Sequence, residues 1–343
     1  MRVGILTGGG DCPGLNAVIR AVARRSFDGG HEVVGILHGW RGLVDGSVRM
    51  LTADDVSGIL PRGGTILRTS RTNPFAIEGG VERVLEGMRT LDALVVVGGE
   101  DTLGVAARLH AEHAAPVVGV PKTIDNDLRA TDATFGFDTA VSIATEAIDR
   151  LHTTAESHDR VMVVEVMGRH TGWIALMSGM AGGADVILIP ELPIAVERAC
   201  DLIVRRHSGA KDFSIVVVSE GYPLTFDSGE SHAVSAGGAD AFGHPRLGGV
   251  GAAVAAQIES RTGYETRVTM LGHIQRGGSP TARDRVLATR YGLMAADLAA
   301  AGEFGSMVAL RGDAIVSVPL ADAVAGPRLV PRELFDQAAA FFG

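Results

Sequence analysis

The sequence is poor in cysteine, with only Cys12 and Cys200 among its 343 residues. Two cysteines so far apart provide neither a disulfide framework nor the four ligands of a structural zinc site. This scarcity excludes the small disulfide-rich secreted scaffolds and the zinc-finger classes. So little thiol chemistry is typical of a reducing compartment, and we expect a cytoplasmic protein.

Long apolar runs are also missing. A membrane-spanning helix needs about 18 consecutive apolar residues, whereas the most apolar tract, residues 173–196, is interrupted by Asp185, Pro190 and Glu191. The first residues, Met1–Leu6, have the pattern of a strand, so we expect no signal peptide. We therefore expect no membrane partner.

Basic residues are outnumbered, because 31 Lys and Arg stand against 40 Asp and Glu and give a formal charge of −9. An acidic chain is a poor match for nucleic acid, and we expect no such partner. Nearly all of the basic residues are arginine, which suits bidentate recognition of phosphate but is equally common in GC-rich coding sequence. With 46% hydrophobic and 21% charged residues, the composition is globular and excludes disorder.

One unit recurs along the chain: a short apolar strand, a cluster of glycine or charged residues, then a helical pattern. The expected strands are Val3–Leu6, Val33–Leu37, Leu94–Val97, Val117–Val120, Val161–Val166, Ile215–Ser219 and Val268–Leu271. The clearest helical patterns are Gly80–Met88, Asp138–His152, Val196–His207, Gly248–Arg261 and Arg283–Ala300. This alternation predicts an α/β fold with parallel sheets, whose ligands bind beyond the carboxyl ends of the strands. Polar clusters at seven such ends indicate one large polar cleft.

Residues 94–102 carry the strongest indication of chemistry. Gly98–Gly99 follows an apolar strand, and without a Cβ these residues let the backbone approach a ligand closely. Glu100 and Asp101 come next, where a helix of about Thr102–His110 is expected to begin. A helix N-terminus attracts phosphate, but two carboxylates there repel it unless a divalent metal lies between them. The stretch therefore predicts a phosphoryl-transfer site.

Two further loops follow strands. The glycines Gly8–Gly10 either cradle phosphate with their N–H groups or form a purely structural tight turn. They match neither the Walker A pattern nor the dinucleotide-binding fingerprint. In the loop Pro121–Asp127, Asp125 or Asp127 offers a general base and further metal ligands, and Lys122 offers a cation for a transferring phosphoryl group. The alternative for this loop is an ordinary solvated turn.

Cations next to glycine follow two of the later strands, in the segments Met167–Gly172 and His273–Gly278. Together with Arg160 and Arg267, their arginines could form a pocket for a phosphorylated substrate. The alternative is that these are surface arginines, which are common.

These motifs together resemble the phosphofructokinase family. The matching segments are Gly8–Asp11, Gly98–Thr102, Pro121–Asp127, Val166–Arg169 and Gly272–Gly278, in family order and over essentially the whole chain. The resemblance implies phosphorylation of the C1 hydroxyl of fructose 6-phosphate, with Mg²⁺ as cofactor. It also implies a homotetramer, or at least a homodimer, with sites shared between subunits.

The same resemblance implies the architecture. The expected fold is α/β, with two Rossmann-like three-layer domains, mainly parallel sheets and the active site in the cleft between them. We expect residues 1–138 plus about 252–302 to form the donor-binding domain. Residues 139–251 plus about 303–343 are expected to form the fructose 6-phosphate-binding domain.

Roles implied by the family fall into three groups. Asp125 resembles the general base, Asp127 its supporting carboxylate and Glu100 the magnesium-associated acid. The donor-binding positions are Gly9, Gly10 and Arg71, joined by the donor-selecting Asp101 and Lys122. The sugar-binding positions are Thr123, Ile124, Asp125, Met167, Gly168, Glu220 and the also catalytic Arg169. The 6-phosphate positions are His273 and Arg276, with Arg160 and Arg267 arriving from a neighbouring subunit.

Two positions depart from the ATP-using members, which generally have glycine where Asp101 and Lys122 stand. Members that use inorganic pyrophosphate, notably those of actinobacterial type, resemble this chain at both positions. A glycine lets the α-phosphate and ribose approach the backbone, whereas a carboxylate occupies that space and repels the α-phosphate. Lys122 can bind one end of a two-phosphate donor, but some ATP-dependent members carry this lysine too. The choice between the two donors therefore rests on Asp101, and we predict pyrophosphate as the donor.

Three alternatives have less support. The nearest is an ATP-dependent member of the same family. A non-catalytic phosphosugar-binding subunit would usually lack the base, whereas Asp125 and Asp127 are both present. A dehydrogenase would need a different glycine spacing and an acid at the end of the second strand.

Regulation by nucleotide diphosphates is expected to be weak or absent. Arg20 and Arg24 resemble two basic positions of the bacterial allosteric site, but its third arginine has no counterpart in the acidic segment Leu51–Asp55. Without the full set of cations, a diphosphate should bind poorly. Fructose 6-phosphate saturation curves measured with and without millimolar ADP should superimpose, and a shift would contradict this prediction.

Overall fold

The computed structural model describes residues 1–209, 211–239, 242–243 and 245–343. Its strands are β1 (Arg2–Thr7), β2 (Glu32–Ile36), β3 (Val48–Leu51), β4 (Ala93–Gly98), β5 (Val117–Pro121), β6 (Val161–Val166), β7 (Val186–Leu188), β8 (Ser214–Ser219), β9 (Leu224–Thr225), β10 (Ser231–His232), β11 (Ser235–Ala239), β12 (Pro245–Leu247), β13 (Thr266–Met270), β14 (Ser306–Arg311) and β15 (Ala314–Pro319). Its helices are α1 (Leu15–Asp28), α2 (Trp40–Asp45), α3 (Gly80–Met88), α4 (Glu100–His113), α5 (Phe137–His158), α6 (Trp173–Ala181), α7 (Val196–His207), α8 (Val250–Thr262), α9 (Ala282–Ala301), α10 (Leu320–Ala323) and α11 (Arg332–Ala339). Short 3₁₀ helices cover Pro74–Ala76 and Gly272–Arg276.

The chain folds into two compact units. The first comprises Met1–Thr139 and Arg276–Pro327, and the second comprises Ala140–Gln275 and Arg328–Gly343. The first crossing lies within α5, close to the expected position. The other two lie after Gln275 and Pro327, not near 252 and 302 as expected. Strand pairing is the reason, because β13 pairs with β6 of the second unit and β14 pairs with β5 of the first.

The first unit is built on a seven-stranded sheet in the order β15-β14-β5-β4-β1-β2-β3. Its five inner strands are parallel, and the edge strands β3 and β15 run antiparallel to their neighbours. Strands β4 and β5 are buried along their whole length, as expected of parallel strands covered on both faces. In the register, Val96 pairs with both Leu6 and Gly119, so the ends of β1, β4 and β5 lie side by side.

Helices cover both faces of this sheet. The apolar residues of α1, among them Leu15, Val18 and Val22, recur at helical spacing, and α1 packs against α9. Their close approach requires Gly292, where a Cβ would lie 2.8 Å from the carbonyl oxygen of Val18. Helix α4 packs instead against α10, β4 and β5. Within the described part of the chain, no helix is long and apolar enough to cross a membrane.

The second unit is built on an all-parallel four-stranded sheet in the order β13-β6-β8-β7. Valines of the two central strands, among them Val163 and Val216, form one buried cluster with Ile258 of α8. Helix α11 packs against α6 and β7. Both units are therefore α/β with mainly parallel sheets, which confirms the predicted fold class.

Most of the predicted elements are present, and β6, α3 and α7 have the predicted bounds. Helix α4 begins two residues earlier than expected, so Glu100 and Asp101 lie in its first turn. The strand expected at Val268–Leu271 is Thr266–Met270, because pairing with β6 begins at Thr266. Among the elements that were not predicted are β3, β7, α6 and the β14–β15 hairpin, which are short or lack a clear apolar period.

A buried ion pair supports the second sheet. Asp185, just before β7, is 4% exposed. Its carboxylate accepts the N–H of Ile215 at 2.8 Å and pairs with Nη1 of Arg206 at 2.8 Å. Burial is the largest effect on this carboxyl and raises the pKa of Asp185, while the N–H of Ile215 and the charge of Arg206 oppose the rise. Arg206 is therefore one of the groups that favour the charged form of Asp185.

Replacing Arg206 by Met should lower the free energy of unfolding by about 2–4 kcal/mol at pH 8, because it leaves a buried carboxylate unpaired. The pKa of Asp185 in the folded state then rises further. The folded state binds a proton that the unfolded state lacks, so the loss should shrink as the pH falls toward 5. Chemical denaturation at both pH values measures this, with the exposed Arg205→Met as control. Equal losses at the two pH values would contradict the assignment.

Candidate active site

Polar clusters end seven strands, as predicted, but they are divided between the two units. Four follow β1, β2, β4 and β5 of the first sheet, and three follow β6, β8 and β13 of the second. Within each sheet these strands are parallel neighbours, so their carboxyl ends share one edge. Each unit therefore gathers its own set of predicted site residues.

The glycine loop after β1 is held by the segment around Ser70. The N–H of Gly9 donates to the carbonyl of Ser70 at 3.1 Å, and Thr69 Oγ1 donates to the carbonyl of Gly9 at 2.6 Å. The exposed Arg71 continues this segment. The N–H of Gly10 has no acceptor among the described residues. Of the two glycines predicted to bind the donor, Gly10 thus has an N–H group to offer, whereas that of Gly9 is already used.

Thr102 packs where the loops after β1 and β4 meet. Its side chain is buried, and a Cβ on Gly8 would lie 2.6 Å from its Oγ1. A Cβ on Gly98 would lie 2.3 Å from the Cβ of Thr102. The N–H of Gly8 also donates to the carbonyl of Val97 at 2.9 Å. The two glycines are therefore required by this close approach, and Thr102 sets the distance between the two loops.

Lys122 is 3% exposed and lies against the glycine loop. Its Nζ donates to the carbonyl of Gly10 at 2.6 Å, and its backbone N–H donates to the carbonyl of Gly98 at 2.9 Å. Burial is the largest effect and lowers the pKa of the Lys122 ammonium, and the charge of Arg276 lowers it further, whereas the carboxylates of Asp11 and Asp125 oppose the shift. The predicted donor-binding cation is thus a buried group that also holds the loop.

The loop after β5, which carries Asp125 and Asp127, is shaped by local hydrogen bonds. Asn126 is buried and has a φ of 53°, in the left-handed region that asparagine tolerates. Its Oδ1 accepts the N–H of Thr134 at 3.1 Å, and Thr123 Oγ1 accepts the N–H of Asp125 at 3.0 Å. These bonds fix the backbone from which both carboxylates project, so the loop is more than a solvated turn.

Asp127 carries a perturbed carboxyl group. Desolvation is the largest cause and repulsion by Asp125 the next, and together with Glu100 they raise the pKa of Asp127 to about 7. Hydrogen bonds from the backbone and from Thr123 act in the opposite direction. Three carboxylates on the loops after β4 and β5 are therefore close enough to influence one another. A carboxyl pKa near neutrality is typical of acid–base groups at functional sites.

The same carboxylates form the candidate cation site. Mg²⁺ favours hard oxygen ligands and usually binds through one or two carboxylates, with water and substrate phosphate completing its shell. Such an ion needs no cluster of three protein ligands, and none is found in the described part of the chain. Glu100, exposed in the first turn of α4, together with the neighbouring Asp127, fits this pattern.

In the second unit, the predicted sugar-binding loops after β6 and β8 are bonded to each other. The carbonyl of Gly168 accepts both the hydroxyl of Ser219 at 2.7 Å and the N–H of Gly221 at 3.0 Å. Gly168 has a φ of 138°, which an L side chain rarely adopts. These contacts bring together the predicted residues Met167, Gly168, Arg169 and Glu220.

Arg160 and Arg267 lie side by side because both pair with Glu265. The contact from Arg160 Nη2 to Glu265 Oε1 is 2.8 Å. Nε of Arg160 is buried and has no hydrogen-bond partner among the described residues. Two of the four predicted 6-phosphate residues are thus neighbours within one subunit.

The other two predicted 6-phosphate residues follow β13, on either side of the boundary between the two units. His273 is exposed on the 3₁₀ helix after β13. Arg276 belongs to the first unit, where its Nη1 donates to the carbonyl of Asp11 at 3.3 Å. A Cβ on Gly10 would lie 2.7 Å from Nη1 of Arg276, so the contact depends on that glycine. The sequence did not indicate that Arg276 contacts the glycine loop.

Burial also changes the reading of three residues. Ile124, predicted to bind sugar, is fully buried, so only its backbone is available to a ligand. Gln275, to which no role was assigned, is fully buried and accepts the N–H of Met167 at 3.3 Å. Trp40, likewise without an assigned role, donates from Nε1 to the carbonyl of Thr102 at 3.2 Å. The only sequence signal for the last two is their place in glycine-rich clusters, because their partners lie 108 and 62 residues away.

Comparisons with known proteins agree on one family. A family profile described as Phosphofructokinase matches residues 2–299. The chain is 59% identical over 347 residues, covering 100% of both chains, to a protein of Amycolatopsis methanolica named pyrophosphate–fructose 6-phosphate 1-phosphotransferase. It is 53% identical over 350 residues, again covering 100% of both chains, to a Mycobacterium tuberculosis protein named ATP-dependent 6-phosphofructokinase. The T-state structure of Pichia pastoris phosphofructokinase matches 94% of this chain and 37% of its own longer chain, with a TM-score of 0.83 and 34% identity.

Replacing Asp127 by Asn should stabilise the protein more at pH 8 than at pH 5, by about 1–2 kcal/mol. The raised pKa of Asp127 means that the folded state keeps a proton that the unfolded state loses near pH 4. The wild type therefore loses stability as the pH rises through about 7, and asparagine removes that loss. Denaturation at the two pH values measures the difference, with the exposed Asp54→Asn as control. A gain independent of pH would contradict the raised pKa.

Proposed function

We propose, because the chain belongs to the phosphofructokinase family, that it transfers a phosphoryl group from inorganic pyrophosphate to the C1 hydroxyl of fructose 6-phosphate. The products are fructose 1,6-bisphosphate and orthophosphate, and the reaction is reversible. The observation that carries the choice of donor is the carboxylate of Asp101 in the first turn of α4. The name of the Amycolatopsis methanolica relative supports the same choice.

The first unit supplies the donor-binding groups. The N–H of Gly10 and the N-terminus of α4 present positive partial charge to phosphate. The amino group of Lys122, bonded to the carbonyl of Gly10, adds positive charge behind the loop when it is protonated. Asp101, half-buried beside the glycines, repels a third phosphate and occupies the space that it would need. Pyrophosphate, which ends in an oxygen after its second phosphate, is therefore accommodated, whereas the α-phosphate and nucleoside of ATP are not.

The acceptor hydroxyl is activated on the loop after β5. Asp125 takes the proton of the C1 hydroxyl while the oxygen of that hydroxyl bonds to the terminal phosphorus of pyrophosphate. The bond from this phosphorus to the bridging oxygen breaks, and orthophosphate departs. Below a pH of about 7 the carboxyl group of Asp127 is protonated, which limits its repulsion with Asp125 and Glu100. Above that pH the negative charge of Asp127 makes Asp125 a stronger base. Arg169 counters the charge that develops on the transferring group.

Mg²⁺ would be held by Glu100, with Asp127 close by, and shared with the phosphates of the donor. When bound, it neutralises phosphate charge and orients the reacting group. A divalent cation would also relieve the repulsion among the carboxylates that raises the pKa of Asp127.

The second unit supplies the groups for the sugar phosphate. The sugar is proposed to bind Met167, Gly168, Arg169 and Glu220, and also Thr123 and Ile124 of the first unit. The 6-phosphate is proposed to bind His273 and Arg276, together with Arg160 and Arg267 of a neighbouring subunit. That sharing requires a homotetramer, or at least a homodimer, and we propose the cytoplasm as its location.

The second candidate is an ATP-dependent phosphofructokinase, and one structural feature favours it. A cavity of about 590 Å³ adjoins the segment that contacts Gly9, and its lining includes His38, Arg41, Asp45 and Ser70. This space is larger than a two-phosphate donor needs. The donor preference therefore depends on Asp101 and not on a lack of room farther along the loop.

The proposal is tested by assaying the purified protein with fructose 6-phosphate, Mg²⁺ and each donor separately. Pyrophosphate should support turnover and ATP should support little, because of the carboxylate of Asp101. Production of fructose 1,6-bisphosphate is the measurement. Turnover with ATP and none with pyrophosphate would overturn the proposal in favour of the second candidate.

Replacing Asp101 by Gly should raise kcat/KM for ATP at least about tenfold, equivalent to about 1.4 kcal/mol of removed repulsion and steric conflict. Asp101→Asn is the matched control, because it removes the charge and keeps the volume. A gain in both variants assigns the barrier to charge, and a gain in the glycine variant alone assigns it to space. No gain in either variant would rule out Asp101 as the selecting residue.

A further inference from the structure

The indole of Trp40 makes a contact that the proposed reaction does not yet use. We infer that Trp40 is a positioning residue for the donor: through Thr102 it holds the first turn of α4, with Glu100 and Asp101, against the glycine loop. This inference rests on the proposed function and extends it to a residue outside the matching motifs.

The backbone after β2 directs Trp40 inward. Gly39 has a φ of 61°, and a Cβ there would lie 2.9 Å from the carbonyl oxygen of Thr7. Gly42 lies inside the short helix α2 and packs against the end of the preceding strand segment, since a Cβ on it would lie 2.0 Å from the carbonyl oxygen of Leu37. Between these glycines Trp40 is 2% exposed and is one of the largest buried side chains in the protein.

The indole N–H is bonded to the functional end of α4. Nε1 of Trp40 donates to the carbonyl of Thr102 at 3.2 Å, within a buried environment. A carbonyl oxygen has two lone pairs, so this one can accept the indole in addition to its bond within the helix. Because a buried N–H without an acceptor is unfavourable, the contact fixes where Thr102 lies relative to the turn after β2.

Thr102 in turn contacts the loops after β1 and β4, which carry the proposed donor-binding glycines. Its side chain occupies the space next to both Gly8 and Gly98, leaving no room for a Cβ on either. The carbonyl of Gly98 accepts the N–H of Lys122, whose Nζ in turn holds Gly10. A displacement of Thr102 therefore moves the loops after β1 and β4 together, along with the carboxylates that follow Gly99. The groups that would contact the sugar in the second unit are not part of this chain of contacts.

Trp40→Phe tests the inference, because it keeps an aromatic ring and removes the N–H. The KM for pyrophosphate should rise about five- to tenfold, while the KM for fructose 6-phosphate stays within twofold. Trp173→Phe is the matched control: Trp173 is 5% exposed and donates from Nε1 to the carbonyl of Arg328 at 2.8 Å in the second unit. It should leave the KM for pyrophosphate within twofold. An unchanged pyrophosphate KM in Trp40→Phe, or equal rises in both variants, would overturn the inference.

A second measurement leaves Trp40 intact. The chain has two tryptophans, so Trp173→Phe makes Trp40 the sole indole fluorophore. Adding pyrophosphate and Mg²⁺ without sugar phosphate should change its emission, with half-saturation near the KM for pyrophosphate. An emission that does not respond would overturn the inference even if Trp40→Phe fails to fold. Failure of the proposed function can be distinguished from failure of this inference, because in the first case the wild-type protein would not turn over pyrophosphate.

Discussion

The packing of Thr102 against two glycines is the contact on which the rest of the candidate site depends. Parallel neighbours β1 and β4 end together, and their loops can meet only because Gly8 and Gly98 leave space for this one side chain. Lys122, at the end of β5, adds the third loop through its bonds to Gly98 and Gly10. A protein interior tolerates little change in volume, so these loops hold a common geometry that no one of them could maintain alone.

Charge is balanced tightly around this packing. The buried amino group of Lys122 lies near the carboxylates of Asp11 and Asp125, and burial together with repulsion by Asp125 and Glu100 raises the pKa of Asp127. Such an arrangement is unfavourable for the isolated fold. It becomes favourable when a proton, or a cation with its phosphates, enters, which is how functional sites commonly combine local instability with binding.

The choice of donor is a local property in a shared scaffold. The chain is 59% identical to a relative named for pyrophosphate and 53% identical to one named for ATP, and both likenesses cover the full length. So small a difference in overall identity cannot by itself distinguish the donors, and a fold does not determine its function. The distinction we propose is one carboxylate, Asp101, placed where α4 begins and close to the glycine turn Gly98–Gly99.

The amino-acid sequence by itself determined the α/β class, most strands and helices, and the loops that carry chemistry, because apolar period, glycine turns and charged clusters are local properties of the chain. It also supplied the predictions for Asp101 and Asp125, which rest on residue type and on the family resemblance. Only the tertiary structure decided that Lys122 is buried against Gly10, 112 residues away, that Arg276 contacts Asp11, and that β13 and β14 belong to different units. These features depend on which strands pair and which side chains meet across long separations. Local patterns record that a segment is buried but not what buries it, so the partners of Lys122 and Trp40 appear only when the chain is folded.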